Sequence, residues 1–362
     1  MKELERVFGQ FGEDPVARQL KVHVEKSAPD DLFHMDVYGL ADEWGIDRKD
    51  MLNLFLRGVR YGLFDMHWAF HCTHCGAIPV ESLRLKEVHE QYHCAACTLD
   101  FVNTLDQNVE VFFNINDSIK KIPDIIKKGF YDEMRRQLHE FNSFSWRKPT
   151  SILGIDCINN VLFREIFGDD TLALDQSLEI KFTTIMFTDI KGSTRMYETL
   201  GDSRAFRLVR EHFDVLFRNI ERRDGVPIKT IGDAVMGVFI SDKDAVTAAL
   251  ESQRELIEFY RSRPEEESIE VKIGLHSGPS LVVTLNGRLD YFGTTVNMAA
   301  RIQGLARPNE VVFSNPLFEK KENRAIVARY ARSALRNRIS LKGLSGEYTI
   351  YRVNLADGMD AC

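Results

Sequence analysis

Met186-Phe-Thr-Asp-Ile-Lys-Gly-Ser-Thr194 sets one carboxylate, Asp189, between an apolar run and a turn of small residues. The run, Thr183-Thr-Ile-Met-Phe187, is β-branched and apolar, the composition of a buried strand. Gly192, Ser193 and Thr194 then open a helix, and the N–H groups at a helix start suit phosphate. A carboxylate beside a phosphate is repelled unless a cation lies between them.

A second acid follows. Val226-Pro-Ile-Lys-Thr-Ile231 and Ala234-Val-Met-Gly-Val-Phe239 are apolar runs separated only by Gly232-Asp233. That pattern predicts a hairpin with glycine at the first turn position and Asp233 at the tip. If the strands of Asp189 and Asp233 are neighbours, two carboxylates converge at one edge of a sheet. Hard oxygen ligands beside a phosphorylated substrate point to Mg²⁺ or Mn²⁺. Two acids can bridge a pair of ions about 3.5–4 Å apart during an in-line displacement. Taken alone, each aspartate is equally well a structural cap.

The chain has 362 residues, enough for two or three domains with their own cores. Its 44% hydrophobic and 28% charged residues describe a globular protein, not a disordered one. A net charge of −7 argues against bulk nucleic-acid binding. No apolar run approaches the roughly 18 residues of a membrane span. The opening MKELERVFGQFGEDP carries acids where a signal peptide has an apolar core, so a cytoplasmic location is expected.

Three regions are expected: 1–115, helical and cysteine-bearing; 116–177, a linker or transducer; and 178–354, where short strands alternate with amphipathic helices. Within the second, Asn159-Asn-Val-Leu-Phe-Arg-Glu-Ile-Phe167 has near-helical apolar spacing. In the first, Cys72-Thr-His-Cys75 and Cys94-Ala-Ala-Cys97 form two CxxC knuckles, the spacing of a zinc ribbon spanning 72–97. Four thiolates close the shell, so one structural Zn²⁺ is expected, with His71, His74 and His93 as neighbours. Upstream, Leu40–Leu56 reads as two helices joined at Gly45, followed by a strand at Met66–Phe70, a pattern compatible with a winged helix. Such modules read DNA or dock proteins; the acidic chain disfavours nucleic acid.

FTDIKGST, KTIGDAVMGVF, VKIGLHSGP and LDYFGTTVNMAARI, in this order, resemble the class III adenylate/guanylate cyclase catalytic domain over 178–354. The front half resembles, more loosely, the zinc-ribbon-containing region ahead of some bacterial cyclases. The resemblance implies an α+β fold with a ferredoxin-like βαββαβ core. By resemblance, Asp189, Asp233 and the Ile190 carbonyl hold two Mg²⁺ or Mn²⁺ per site. Lys229 and Asp290 match the pair that reads the purine edge. Asn297 and Arg301 match the pair that orients the ribose and stabilises the transition state. Lys342 matches a triphosphate-binding lysine, and Lys272 falls where several members carry an arginine for the terminal phosphates. Lysine there keeps the charge but loses the fork. Independently, Asn297 and Arg301 are four apart and share one helix face, with Val296, Met298, Ala299 and Ala300 as a small apolar flank.

Lysine facing ring N1 and carboxylate facing the 6-amino group complement adenine. Guanine would leave an acceptor facing Asp290, at a cost of roughly 1–3 kcal/mol. Guanylate cyclases of the family usually carry an acid at the lysine position. The expected reaction is ATP to 3′,5′-cyclic AMP and pyrophosphate, and the resemblance implies a homodimer whose sites are shared between subunits, regulated by the front half. The alternatives are a guanylate or pyrimidine nucleotide cyclase of the same fold, or a nucleic-acid-binding regulator with a nucleotide-sensing domain.

Overall fold

The computed structural model describes residues 2–140, 147–261, 263–341 and 346–356. They form two compact units, Met1–Ile180 with Val282–Leu289, and Lys181–Leu281 with Asp290–Cys362.

In the first unit, helices Val37–Trp44 and Arg48–Tyr61 meet at Gly45, as the sequence suggests. The strand after them is β1 (Phe64–Phe70), and β2 (Val80–Ser82), β5 (Val109–Ile115) and β6 (Ile152–Leu153) join it in the order β2-β1-β5-β6. β1 runs antiparallel to β5 from Phe64↔Ile115 to Phe70↔Val109. It therefore lies inside a four-stranded sheet and is not the free hairpin of a wing. β3 (Gln91–Cys94) and β4 (Leu99–Val102) form a separate hairpin carrying the second cysteine knuckle. Phe55 stacks on Phe64 at 4.5 Å between ring centres, and Trp68 meets Phe163 edge-on at 6.0 Å. The segment of near-helical spacing at 159–167 forms a helix over Val161–Ile166, and a separate short helix, Gly154–Ile158, precedes it. The Asn160 side chain accepts from Phe163 N–H at 3.0 Å, an N-cap that starts this second helix.

In the second unit, β7 (Leu178–Ile190), β8 (Val226–Ile231), β9 (Ala234–Phe239) and β10 (Val271–Leu285) lie in the order β10-β7-β9-β8. With helices Asp202–Arg222 and Asp242–Tyr260 between them, this is the expected βαββαβ core. β11 (Arg288–Phe292) pairs with β10, and β12 (Glu310–Ser314), β14 (Glu347–Asn354) and β13 (Leu335–Ser340) extend the sheet beyond it. Gly232, at φ 64°, supplies the left-handed residue that the β8–β9 turn demands.

The helices bury one stripe each. Leu208, Leu216 and Ile220 from one, and Val246, Ala249 and Leu256 from the other, pack with Met186, Phe239, Ile273 and Phe313. Val312 and Ile350 point the other way, as strand alternation requires, and meet Met298 and Ile302 of helix Thr294–Gln303. That helix reaches β10 at two glycines: a Cβ on Gly274 would lie 2.3 Å from Gln303 Cα, and one on Gly278 2.7 Å from Thr295 Oγ1. The apolar flank expected on this helix is partly misplaced, since Thr295, Met298, Ala299 and Ile302 are buried but Ala300 is exposed.

Gly274→Ala therefore forces backbone apart. It should destabilise the protein by roughly 1–3 kcal/mol, read as a lower thermal midpoint, whereas Gly129→Ala, in open space on helix Asp124–Glu140, should not. Equal midpoints for the two variants would contradict this packing.

Candidate active site

β7 pairs antiparallel with β9 from Thr184↔Phe239 to Phe187↔Met236. Beyond that register side chains take over: Thr188 Oγ1 accepts from Val235 N–H at 3.0 Å, and Asp233 Oδ2 accepts from Ile190 N–H at 3.1 Å. The hairpin tip is thus tied to the end of β7, and Asp189 and Asp233 belong to one edge. Both are partly exposed. Gly192 then caps helix Ser193–Leu200, the turn expected to follow Asp189.

Lys272, on β10, forms an ion pair with Asp189 Oδ2. Its ammonium is a tethered cation on the carboxylate expected to hold metal, and the nearby donors are hard oxygens. The set fits a divalent cation of the Mg²⁺ or Mn²⁺ type.

Lys229 and Asp290 form a second pair, through Asp290 Oδ2. Asp290 is 8% exposed, and its Oδ1 accepts from Tyr291 N–H at 2.7 Å. Asn297 and Arg301 follow on helix Thr294–Gln303, four residues apart, with Asn297 exposed and Arg301 partly so. The ion pair and hydrogen bond at Asp189 and Asp233 stay within one set of candidates, and the pair at Lys229 and Asp290 within another. Lys342 lies outside the described residues.

Sequence reasoning missed Arg164. Its guanidinium donates to Ile158 O at 2.7 Å and to Leu289 O at 2.9 Å, the carbonyl immediately before Asp290. Thr284 Oγ1 donates to Leu172 O at 2.7 Å, so Val282–Leu289 is held at a second point. A contact between residues 125 apart leaves no local pattern; the only hint is a charged residue in an apolar helical run.

The four paired cysteines converge. Cys72 and Cys97 sulfurs are 3.6 Å apart, as are those of Cys75 and Cys94, and all four lie within 4.8 Å of one another. Tetrahedral zinc, with bonds near 2.3 Å, needs sulfur–sulfur edges of about 3.8 Å. Gly76 (φ 76°) and Thr98 (φ 58°) both follow the second cysteine of their knuckle in left-handed conformation. Burial opposes a thiolate at Cys94, but N–H groups of Cys97 and Ala96 aimed at the sulfur bring it below the usual thiol value. The residues fit zinc.

Residues 176–354 match the family model for the adenylate and guanylate cyclase catalytic domain. Over these residues the chain carries a catalytic domain of the class III adenylate/guanylate cyclase family. Residues 1–135 match a family of unknown function, DUF5939. An adenylate cyclase of Mycosarcoma maydis is 32% identical over 179 residues, 43% of this chain and 7% of that protein. One from Anabaena cylindrica is 28% identical over 189 residues, 49% of this chain and 35% of that protein. The receptor-type guanylate cyclase gcy-8 of Caenorhabditis elegans is 30% identical over 143 residues, 36% of this chain and 12% of that protein. The chain thus spans about a third or less of the length of each. A solved structure of the adenylyl cyclase CyaB from P. aeruginosa is 21% identical, covers 49% of this chain and 95% of that one, and gives a TM-score of 0.41. Among the described residues no helix is long and apolar enough to cross a membrane.

Arg164→Met should raise KM for nucleotide more than it lowers kcat, because it loosens the backbone at Asp290 without touching the metal acids. Arg164→Lys should restore part of the loss. Equal kinetics for Arg164→Met and the parent protein would remove Arg164 from the site's support.

Proposed function

We propose that the protein is an adenylate cyclase, converting ATP to 3′,5′-cyclic AMP and pyrophosphate in sites shared between two copies of the chain. The observation that carries the choice of base is the Lys229–Asp290 pair. Without nucleotide each member satisfies the other; adenine replaces that contact by accepting from Lys229 at N1 and donating its 6-amino group to Asp290. Guanine has a ring N–H and a carbonyl there and would leave both protein groups mismatched, at a cost of about 1–3 kcal/mol. Relatives named guanylate cyclase occur beside those named adenylate cyclase, so GTP is the rival substrate.

Asp189, Asp233 and the Ile190 carbonyl are the residues that would hold two Mg²⁺ or Mn²⁺. Such ions lower the pKa of the ribose 3′-hydroxyl and screen the triphosphate. Lys272 leaves Asp189 for the terminal phosphates and, with Lys342, retains the departing pyrophosphate. Asn297 orients the ribose. Arg301 neutralises charge that develops on the α-phosphate, which is binding specific to the transition state. The four cysteines hold one structural zinc, and a cytoplasmic setting agrees with cysteines kept as metal ligands.

The shared site rests on exposed apolar residues placed beside the base-reading pair. Ile231 is 55% exposed and lies two residues after Lys229; Phe292 is 56% exposed and lies two after Asp290. Strand alternation puts each on the same face as the residue it follows. A second copy covers these side chains and supplies the opposite half of each site: metal acids from one subunit, Lys229, Asp290, Asn297, Arg301 and Lys342 from the other. The zinc-bearing front region and the segment through Ile166 and Phe167 set how the two catalytic domains meet.

Purified protein given each of four nucleoside triphosphates with Mg²⁺ or Mn²⁺ should yield cyclic AMP as the main product by mass. Lys229→Glu should cut kcat/KM for ATP by about tenfold to a hundredfold, the worth of an unmatched polar contact. Cyclic GMP as the main product of the parent protein would transfer the reading to its rival.

Asp233→Ala and Arg301→Ala should each be inactive alone. Refolded together in equal amounts they should recover roughly a quarter of parent activity, since half the dimers then carry one intact site. No recovery, with heterodimers verified by mass, would count against sharing.

A further inference from the structure

The end of β7 and the start of β10, neighbours in the sheet, meet with their charges crossed. On one side stand Asp189 and Lys191, on the other Lys272 and Glu270. Lys191 Nζ pairs with Glu270 Oε2 at 2.7 Å, and Lys191 N–H donates to Glu270 O at 2.9 Å. Lys272 pairs with Asp189 Oδ2. Three successive residues are thus tied to three different partners: Asp189 to Lys272, Ile190 to Asp233, Lys191 to Glu270.

The two ion pairs differ in their surroundings. The side chains of Lys191 and Glu270 are 56% and 40% exposed, so water screens their attraction and the backbone bond does most of the holding. Those of Lys272 and Asp189 are 21% and 32% exposed, and that pair is screened less.

The two acids also differ. Asp233 Oδ2 accepts from a backbone N–H, a neutral donor that fixes the carboxylate and leaves its charge uncancelled. Among the described residues, Asp189 has a side-chain cation on it and Asp233 has none. With Lys272 in place the pair of acids presents one net negative charge in place of two, and a divalent ion gains less by entering.

We propose that Lys272 is the resident cation of this site: in the nucleotide-free protein its ammonium competes with divalent metal for Asp189, and it vacates the carboxylate when phosphates offer it another partner. This deepens the functional reading above and rests on Asp189 being a metal acid. The Lys191–Glu270 backbone bond keeps the two chains together throughout, so the exchange is a swing of one flexible side chain. The site resists a free ion and admits one together with the triphosphate, and by linkage each favours the other.

The test titrates full-length protein, free of nucleotide, with Mn²⁺ and reads the unbound ion by its paramagnetic resonance signal. Lys272→Met should tighten binding roughly fivefold or more, the worth of displacing one partly exposed ion pair. Asp189→Asn, in either background, should remove that binding. Lys191→Met takes away a nearby positive charge without uncovering Asp189 and should change binding by less than about twofold. Because Lys272→Met leaves a half-buried carboxylate unpaired, the thermal midpoint is followed as well. It should fall in the absence of Mn²⁺ and rise on Mn²⁺ addition by more than the parent's does, a selective rescue that a merely structural lysine would not give. Unchanged or weaker Mn²⁺ binding by Lys272→Met, or equal tightening by Lys191→Met, would overturn the proposal and leave the metal acids standing. Mn²⁺ binding undiminished by Asp189→Asn would overturn the proposal together with the reading of Asp189 on which it rests.

Discussion

The hydrogen bond from Ile190 N–H to the Asp233 carboxylate closes the open end of the sheet on which the catalytic unit is arranged. The ladder of β7 and β9 runs to Phe187↔Met236, and beyond it the strands are tied by the Thr188 hydroxyl and the Asp233 carboxylate. This exchange lets two strands separate while remaining tied, which is what places two acids at one edge. It also makes register unforgiving. A slip of one residue would turn Asp189 to the opposite face and break the pairing of Met186 with Gly237.

Each acid of the candidate site that could repel its neighbours is held by a positive or donating partner from another strand: Asp189 by Lys272, Asp290 by Lys229, Asp233 by a backbone N–H. Leaving any of these half-buried carboxylates unpaired would cost stability. On the proposed function, a substrate complex would have to exchange these contacts for at least equal ones. On that reading lysine would suit position 272, since a flexible stem leaves a carboxylate for a phosphate more readily than an arginine fork does.

The hairpin, the strand-end acid and the order of elements in the catalytic unit were legible because they are local: turn glycines, apolar runs of strand length, and helical spacing. The knuckles were legible for the same reason, although the matching left-handed residue after the second one is Thr98, which no glycine rule would flag. What escaped was long-range. Arg164 reads as one charge in an amphipathic run until Leu289, 125 residues on, supplies its acceptor. The pairing of Val282–Leu289 with the first unit, rather than with the motifs that flank it in sequence, is likewise a matter of tertiary contact.

In the front unit, one residue step links the cysteine knuckle to a buried hydrogen bond between His71 and Glu110. His71 precedes Cys72, and its Nδ1 is fixed by the carbonyl of Gly76, inside the first cysteine knuckle. Backbone bonds from Gly76 N–H to Cys72 O and from Cys72 N–H to Ala77 O, both at 2.8 Å, hold that carbonyl in place. A zinc ion closing the four sulfurs would therefore do more than shape the ribbon. By immobilising the knuckle it would fix the His71 ring, and through His71 the Glu110 carboxylate on the adjoining strand. A closed thiolate shell has no catalytic position of its own, so its effect on chemistry can only pass through side chains it orients in this way.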